Sequence, residues 1–259
     1  MNDIINLWLD TFDSPGTRSN YRRDILRFMD YLGDSKLTLK TLQAWRRTLR
    51  NDLPGLRALV AAVKSFTKFL YTQDYIHNSI GRCLAIPKQK PTRIERNMNK
   101  RQVLLSMENA EPNTKLLLTL LFYLGGRVSE IVQLKKSDIT ASDGRLIFTL
   151  SGKGNKTRIV PLNRRVSRYV NSQLRHYHRY LFPGRKGHIT RQAAWKRVKK
   201  CCKDFLPQAS CHWYRHAMAT TAIQAGCDIG TISKVLGHSS IATTSLYVHS
   251  KNSGTSEYL

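Results

Sequence analysis

Between Asp143 and Asp204 the chain carries no carboxylate, while 17 Lys and Arg side chains fall in that window. Solvated helix faces normally intersperse both signs of charge. A stretch of this length with one sign must fold with a uniformly cationic surface, and that surface calls for a polyanion opposite it. The asymmetry extends beyond the window: residues 1–98 hold 17 basic and 9 acidic side chains, and residues 99–259 hold 26 and 8. A formal net charge of +26 over 259 residues opposes compaction by self-repulsion, so an anionic partner is implied, nucleic acid first and a membrane surface second. Hydrophobic residues make up 41% of the chain, enough for a real core, which excludes a disordered basic tail. The longest apolar stretch, Leu116 to Leu124, is interrupted by Thr119 and falls well short of the roughly 18 residues of a membrane span. Met1-Asn2-Asp3 lacks the basic opening of a signal peptide, and five Cys, an odd number, read as reduced thiols. The expectation is a soluble cytoplasmic, nucleoid-associated protein with no membrane partner.

Periodicity divides the chain in two. Tyr21, Ile25, Phe28 and Leu32 form one stripe of an amphipathic helix beginning near Thr17 and ended by Gly33. A second helix is predicted over Leu39–Leu49, and a third from Pro54 through Leu59, Val63, Phe66 and Leu70. Residues 1–86 therefore read as a small helical domain of mixed charge. The segment 87–98, with Pro87 and Pro91 among lysines, reads as an extended linker, and 99–259 as a second domain. In that second domain helices are predicted at 100–108, 114–124 and 128–134. Strands follow at 146–150 and 157–161, joined by the turn Gly152-Lys153-Gly154-Asn155. Helical patterns continue at about 163–180, 190–205, 212–225 and 229–236, with a weaker one at 240–247. The predicted fold class is mainly α with one small β-hairpin or sheet.

Four constellations in the second domain can carry chemistry, and each has an ordinary structural reading beside it. Gly126-Arg127-Val128-Ser129-Glu130 follows the apolar helix. Arg127 there must leave the core or meet an anion, and Glu130 lies one helical turn on, where it can orient the guanidinium; a helix cap is the plain alternative. Lys153 between two glycines can approach a ligand closely, or it is a surface turn lysine. His212 and Arg215, spaced i and i+3, can present an imidazole and a guanidinium to one phosphate, or cap a helix. His238 and, nine residues later, Tyr247 can be a capping histidine and a packed tyrosine. Cys201-Cys202, Cys211-His212 and the His176/His178 pair lack zinc-site spacing, and neither a Walker-type loop nor a Gly-x-Ser-x-Gly elbow is present. No metal and no cofactor are expected.

Taken together and in this order, the constellations resemble the tyrosine recombinases, the phage-integrase-type site-specific recombinases. The family pattern is an arginine in a Gly-Leu-Arg-x-Ser-Glu box, a hairpin lysine, His-x-x-Arg, a later His or Trp, and a tyrosine. Gly152-Lys153-Gly154-Asn155-Lys156-Thr157-Arg158-Ile159-Val160-Pro161-Leu162 and Leu236-Gly237-His238-Ser239-Ser240 are similar to the wording of Xer-like members. The helical first domain and the Lys/Pro linker resemble the family's SAM-like core-binding domain, so the likeness runs through nearly the whole chain. Gly126 stands where leucine is usual, Trp213-Tyr214 where Asp-Leu is common, and 12 residues follow Tyr247.

The resemblance implies a catalytic set of Arg127, Lys153, His212, Arg215, His238 and Tyr247, supported by Glu130. It implies double-stranded DNA as substrate, cleaved and rejoined through a 3′-phosphotyrosine. It also implies a dimer on a core site and a tetramer in the synapse, of identical chains or with a related recombinase. Lys156, Arg158, Arg191, Lys196, Arg197, Lys199 and Lys200 are the basic side chains expected on DNA. Two alternatives stand beside this: a non-catalytic DNA-binding or architectural protein on the same fold, and a strand relaxer like a type IB topoisomerase.

Overall fold

The computed structural model describes residues 2–87, 98–152, 157–177, 179–185 and 187–237. Two compact units divide the chain, residues 1–92 and 93–259. The first is built from α1 (Asn2–Asp10), α2 (Pro15–Leu32), α3 (Leu39–Thr48) and α4 (Leu56–Thr72), with a 3-10 turn at Ile80–Cys83. Helix α2 starts where the Ser14 hydroxyl accepts from the Thr17 amide, and α3 starts in a reciprocal Thr38/Thr41 capping box. Helix α1 is absent from the sequence expectation. Its buried residues Ile5, Trp8 and Leu9 do keep i, i+3, i+4 spacing, but exposed Leu7 blurs the stripe. Pro54 is not the first turn of α4: Gly55, in the left-handed region at φ 79°, separates it from Leu56, where the helix opens. The core is aromatic. Trp8 stacks on Tyr21 with centroids 5.4 Å apart, and Phe28 meets Trp45 edge-on at 4.8 Å.

The second unit is organised around α6 (Pro112–Tyr123), of which eight residues from Thr114 to Phe122 are buried. Helices α5 (Lys100–Glu108) and α10 (Cys211–Gln224) pack on it. After α7 (Val128–Val132) and a 3-10 turn at Lys136–Asp138 come three antiparallel strands in the order β1-β2-β3: β1 (Ile139–Ser142), β2 (Arg145–Ser151) and β3 (Thr157–Pro161). The β2/β3 pair matches the expected hairpin, whereas β1 is an addition. It joins β2 through Asp143-Gly144, both at positive φ, the two-residue turn that suits the strand twist. Leu146, Phe148, Leu150 and Val160 point inward and Ile159 outward, as period-2 alternation requires.

Helix α8 (Arg164–Leu174) stops six residues before its expected end at 180. Backbone pairing takes over there: Lys136 donates to the Arg179 carbonyl and Leu181 to the Leu134 carbonyl. A two-stranded ribbon, β4 (Pro183–Gly184) and β5 (Gly187–His188), leads to α9 (Arg191–Cys202), then α10 and α11 (Ile229–Leu236). Helix α11 touches the main core through Val235. It meets the end of α10 in a small cluster of its own, Ala219, Ile223, Ile232 and Leu236. The pattern at 240–247 lies outside the described residues. Among the described residues no helix is long and apolar enough to cross a membrane.

Candidate active site

The site begins where α6 runs out. Leu124 caps the helix and Gly125 turns the chain at φ 56°, the usual left-handed exit. A Cβ on Gly126 would come within 2.6 Å of the buried Ile131 Cδ1, so a leucine here would require that side chain to move. Arg127 is the extended N-cap of α7. Its amide donates to Glu130 Oε2 at 2.8 Å and its Nη1 to Oε1 at 2.9 Å. Ion pairing fixes one edge of the Arg127 guanidinium and leaves the side chain 43% exposed.

Glu130 is the pivot. Its side chain is 3% exposed, and both of its oxygens also accept from Arg158, Nη1 to Oε1 at 3.1 Å and Nη2 to Oε2 at 2.7 Å. Burial alone would raise the Glu130 pKa. Hydrogen bonds from Arg158 and the Arg127 amide, together with the arginine charges, outweigh it and hold the carboxyl below its ordinary value. Because the folded pKa is depressed, this stabilisation is present above the ordinary carboxylate pKa and is lost as pH falls through the lowered one. Glu130→Ala leaves Arg158 buried without its counter-charge, so we expect a loss of about 3 kcal/mol, a Tm decrease of roughly 6–12 °C for a unit of this size. Calorimetry at neutral pH checks this, and a decrease of under about 2 °C would contradict the pivot role.

Arg158 is the second partner of Glu130. Its side chain is 12% exposed, and its three nitrogens bond Glu130 and the Val235 carbonyl, the latter through Nε at 2.6 Å. Strand alternation carried the signal: Arg158 lies two residues before Val160, on the same inward face. Arg215, on α10, is 2% exposed and bridges two carbonyls, Nη1 to Gly125 O and Nη2 to Leu236 O, each at 2.6 Å. These acceptors were not legible in advance, because a backbone carbonyl has no sequence signature.

His212 sits one turn before Arg215 and stacks edge-to-face on His216, centroids 4.4 Å apart. It keeps an exposed edge. Desolvation of the ring, then the charges of Arg215 and Arg127, lower its pKa, so the imidazole is neutral at pH 7. Tyr214, between them in sequence, faces the core. It is fully buried, its hydroxyl donates to Ser106 Oγ at 2.7 Å, and burial raises its pKa. The structure thus brings Arg127, Glu130, His212 and Arg215 together. Lys153, Lys156, His238 and Tyr247 lie outside the described residues.

The basic residues of α9 divide. Arg191 and Lys196 are exposed. Arg197 bonds Asn113 Oδ1, Lys200 pairs with Glu111 at 3.0 Å, and Lys199 bonds the Pro207 carbonyl and lies 5.4 Å from the Trp195 ring centroid. Among the described residues no group of three or more His, Cys, Asp or Glu side chains is placed to hold a metal ion. Cys211 is buried and its thiol is pushed up to about 11, far from a reactive thiolate.

Comparison with known proteins converges on one family. The model of the phage integrase family matches residues 96–253, and that of the phage integrase N-terminal SAM-like domain matches residues 4–74. The chain is 30% identical to the tyrosine recombinase XerD of Proteus mirabilis, over 96% of this chain and 89% of that protein. Among solved structures the fold is shared with a lambda integrase (75–356) dimer bound to a COC′ core site. That match has a TM-score of 0.78 at 15% identity and covers 98% of this chain and 97% of that one. It is shared too with the XerH recombinase bound to its difH substrate before cleavage, at TM-score 0.73 and 20% identity, over 93% and 78%.

Proposed function

The chain belongs to the phage integrase family and is a tyrosine-type site-specific recombinase, and on that premise we propose that it cuts and rejoins duplex DNA through a phosphotyrosyl bond to Tyr247. The alternatives of a non-catalytic DNA-binding protein and a topoisomerase-like relaxer are not favoured by these relatives. The observation that carries the mechanism is the convergence of Arg127, His212 and Arg215 from two separate helix starts, where burial and the two guanidinium charges push the imidazole toward its neutral form. Attack on a phosphodiester adds negative charge to its non-bridging oxygens. Arg127 and Arg215 supply fixed, charge-assisted donors for that charge, and Glu130 holds Arg127 in place.

The tyrosine Oη bonds to phosphorus and the bond from phosphorus to the 5′-oxygen breaks. A free phenol has a pKa of about 10, so its proton needs an acceptor, and neutral His212 is that base. The leaving 5′-oxygen takes a proton from Lys153, and His238 adds a further donor to the phosphate. The bond energy is retained in the 3′-phosphotyrosyl ester, so a second 5′-hydroxyl reverses the steps and rejoins the strand without ATP.

In this reading residues 1–86 are the core-binding domain, 87–98 the linker and 99–259 the catalytic domain. The enzyme works in the cytoplasm on nucleoid DNA. It acts as a dimer on each core site and a tetramer in the synapse, with copies of itself or with a related recombinase. The lambda integrase dimer on its core site supports the first of these.

A nicked suicide duplex tests the chemistry: the enzyme should be trapped as a covalent protein–DNA adduct. Strand exchange between two differently labelled duplexes separates a recombinase from a relaxer of single strands. Absence of adduct with every site selected by binding would overturn the reading. Affinity should also be electrostatic. With Lys156, Arg191, Lys196 and the rest of the cationic window on phosphates, about six contacts give a slope of log K against log salt near −5, at roughly −0.9 per phosphate. A slope near zero would remove DNA from that surface.

A further inference from the structure

Two arginines of the site end on the same turn of α11. Arg158 Nε donates to the Val235 carbonyl and Arg215 Nη2 to the Leu236 carbonyl, both at 2.6 Å. Terminal carbonyls of a helix have no partner within it and carry its negative end, so each is an anchor point for a cation. Both bridges lead back to the Arg127 box. Arg215 Nη1 reaches the Gly125 carbonyl, and Arg158 grips both oxygens of Glu130, which holds Arg127. Gly237 caps α11 in the left-handed region at φ 61°, and a Cβ added there would stand 3.3 Å from Arg158 Cδ. Arg158 also belongs to β3, the strand that follows the connection bearing Lys153.

We propose that Arg158 is a positioning residue: one guanidinium joins the hairpin strand, Glu130 and the end of α11, and thereby sets where the chain leaves α11 towards His238 and Tyr247. This rests on the reading that Tyr247 is the nucleophile. A fork of three N–H directions is needed to hold two carboxylate oxygens and a carbonyl at once, and a lysine, as a point charge, does not reproduce it. Arg158→Lys keeps the charge next to Glu130 but loses the tie to α11.

The test uses the full chain and a nicked suicide duplex, reading the adduct rate at saturating protein separately from the half-saturating concentration. Arg158→Lys should lower the saturated rate by about 10- to 100-fold, the scale set by an ångström of misplacement, with half-saturation within about twofold of wild type. Gly237→Ala, which pushes on Arg158 from the helix end, should shift the same quantity in the same direction. It also decides the matter if the lysine variant does not fold. A saturated rate within about twofold of wild type in the folded variant overturns the proposal. So does a defect confined to half-saturation, which would make Arg158 a DNA contact, or one that matches the unfolded fraction measured by thermal melting. If wild type itself forms no adduct, it is the reading of the chemistry that has failed, not the role of Arg158.

Discussion

Tyr247→Phe should bind its DNA site with affinity within about twofold of wild type and form no covalent adduct. The change removes one oxygen and no ring contact, so the folding and phosphate terms stay while the nucleophile disappears. The chain has eleven tyrosines, and the structure narrows the field around the site. Tyr214, two residues after His212 and next to Arg215, is the obvious rival. Its hydroxyl is bonded to Ser106 inside the core, and its raised pKa makes the phenolate costly. Trapping on a nicked duplex followed by peptide mapping reads the result directly. Adduct in the Phe variant, or DNA mapped to Tyr214 or Tyr258, would falsify the assignment.

Lys153→Ala should slow cleavage of ordinary DNA by roughly 10²- to 10⁴-fold, the range for loss of a general acid. A substrate in which sulfur replaces the bridging 5′-oxygen separates acid from phosphate ligand. A thiolate leaves without a proton, so the variant should cleave that substrate at nearly the wild-type rate. Equal defects on both substrates would make Lys153 a binder of the phosphate only.

The sequence carried the helices best where a stripe and its caps agree, as in α2, with Phe28 and Leu32 inward and Ser14 and Gly33 at its ends. It carried them worst where tertiary pairing intervenes. The apolar pattern past Leu174 continues through Tyr177 and Tyr180, yet the backbone there pairs with the 134–136 segment instead of with its own helix. Strand β1 is announced only by its turn, since Asp143-Gly144 is a strong hairpin signal while Thr140-Ala141-Ser142 before it has no alternating apolar pattern. In the site, the family resemblance, not spacing alone, singled out Arg127, Glu130, His212 and Arg215, which the fold brings together. Arg158 sits in a basic run, which invites a solvent-facing reading, while its strand phase points it inward. The carbonyls of Gly125, Val235 and Leu236 are the part that only three-dimensional structure can give.

Helix α11 shares a cluster of four small and medium apolar side chains with the end of α10, and only its Val235 packs against the larger core built around α6. Opening it exposes far less apolar surface than unfolding the unit, so its free energy of local opening lies below the global value, and its amides should exchange with solvent ahead of those in α6. Its further ties to the rest of the unit are polar: Arg158 and Arg215 grip its last two carbonyls, so opening α11 strips both buried guanidinium groups of an acceptor and couples the order of the arginine box to the seating of the helix.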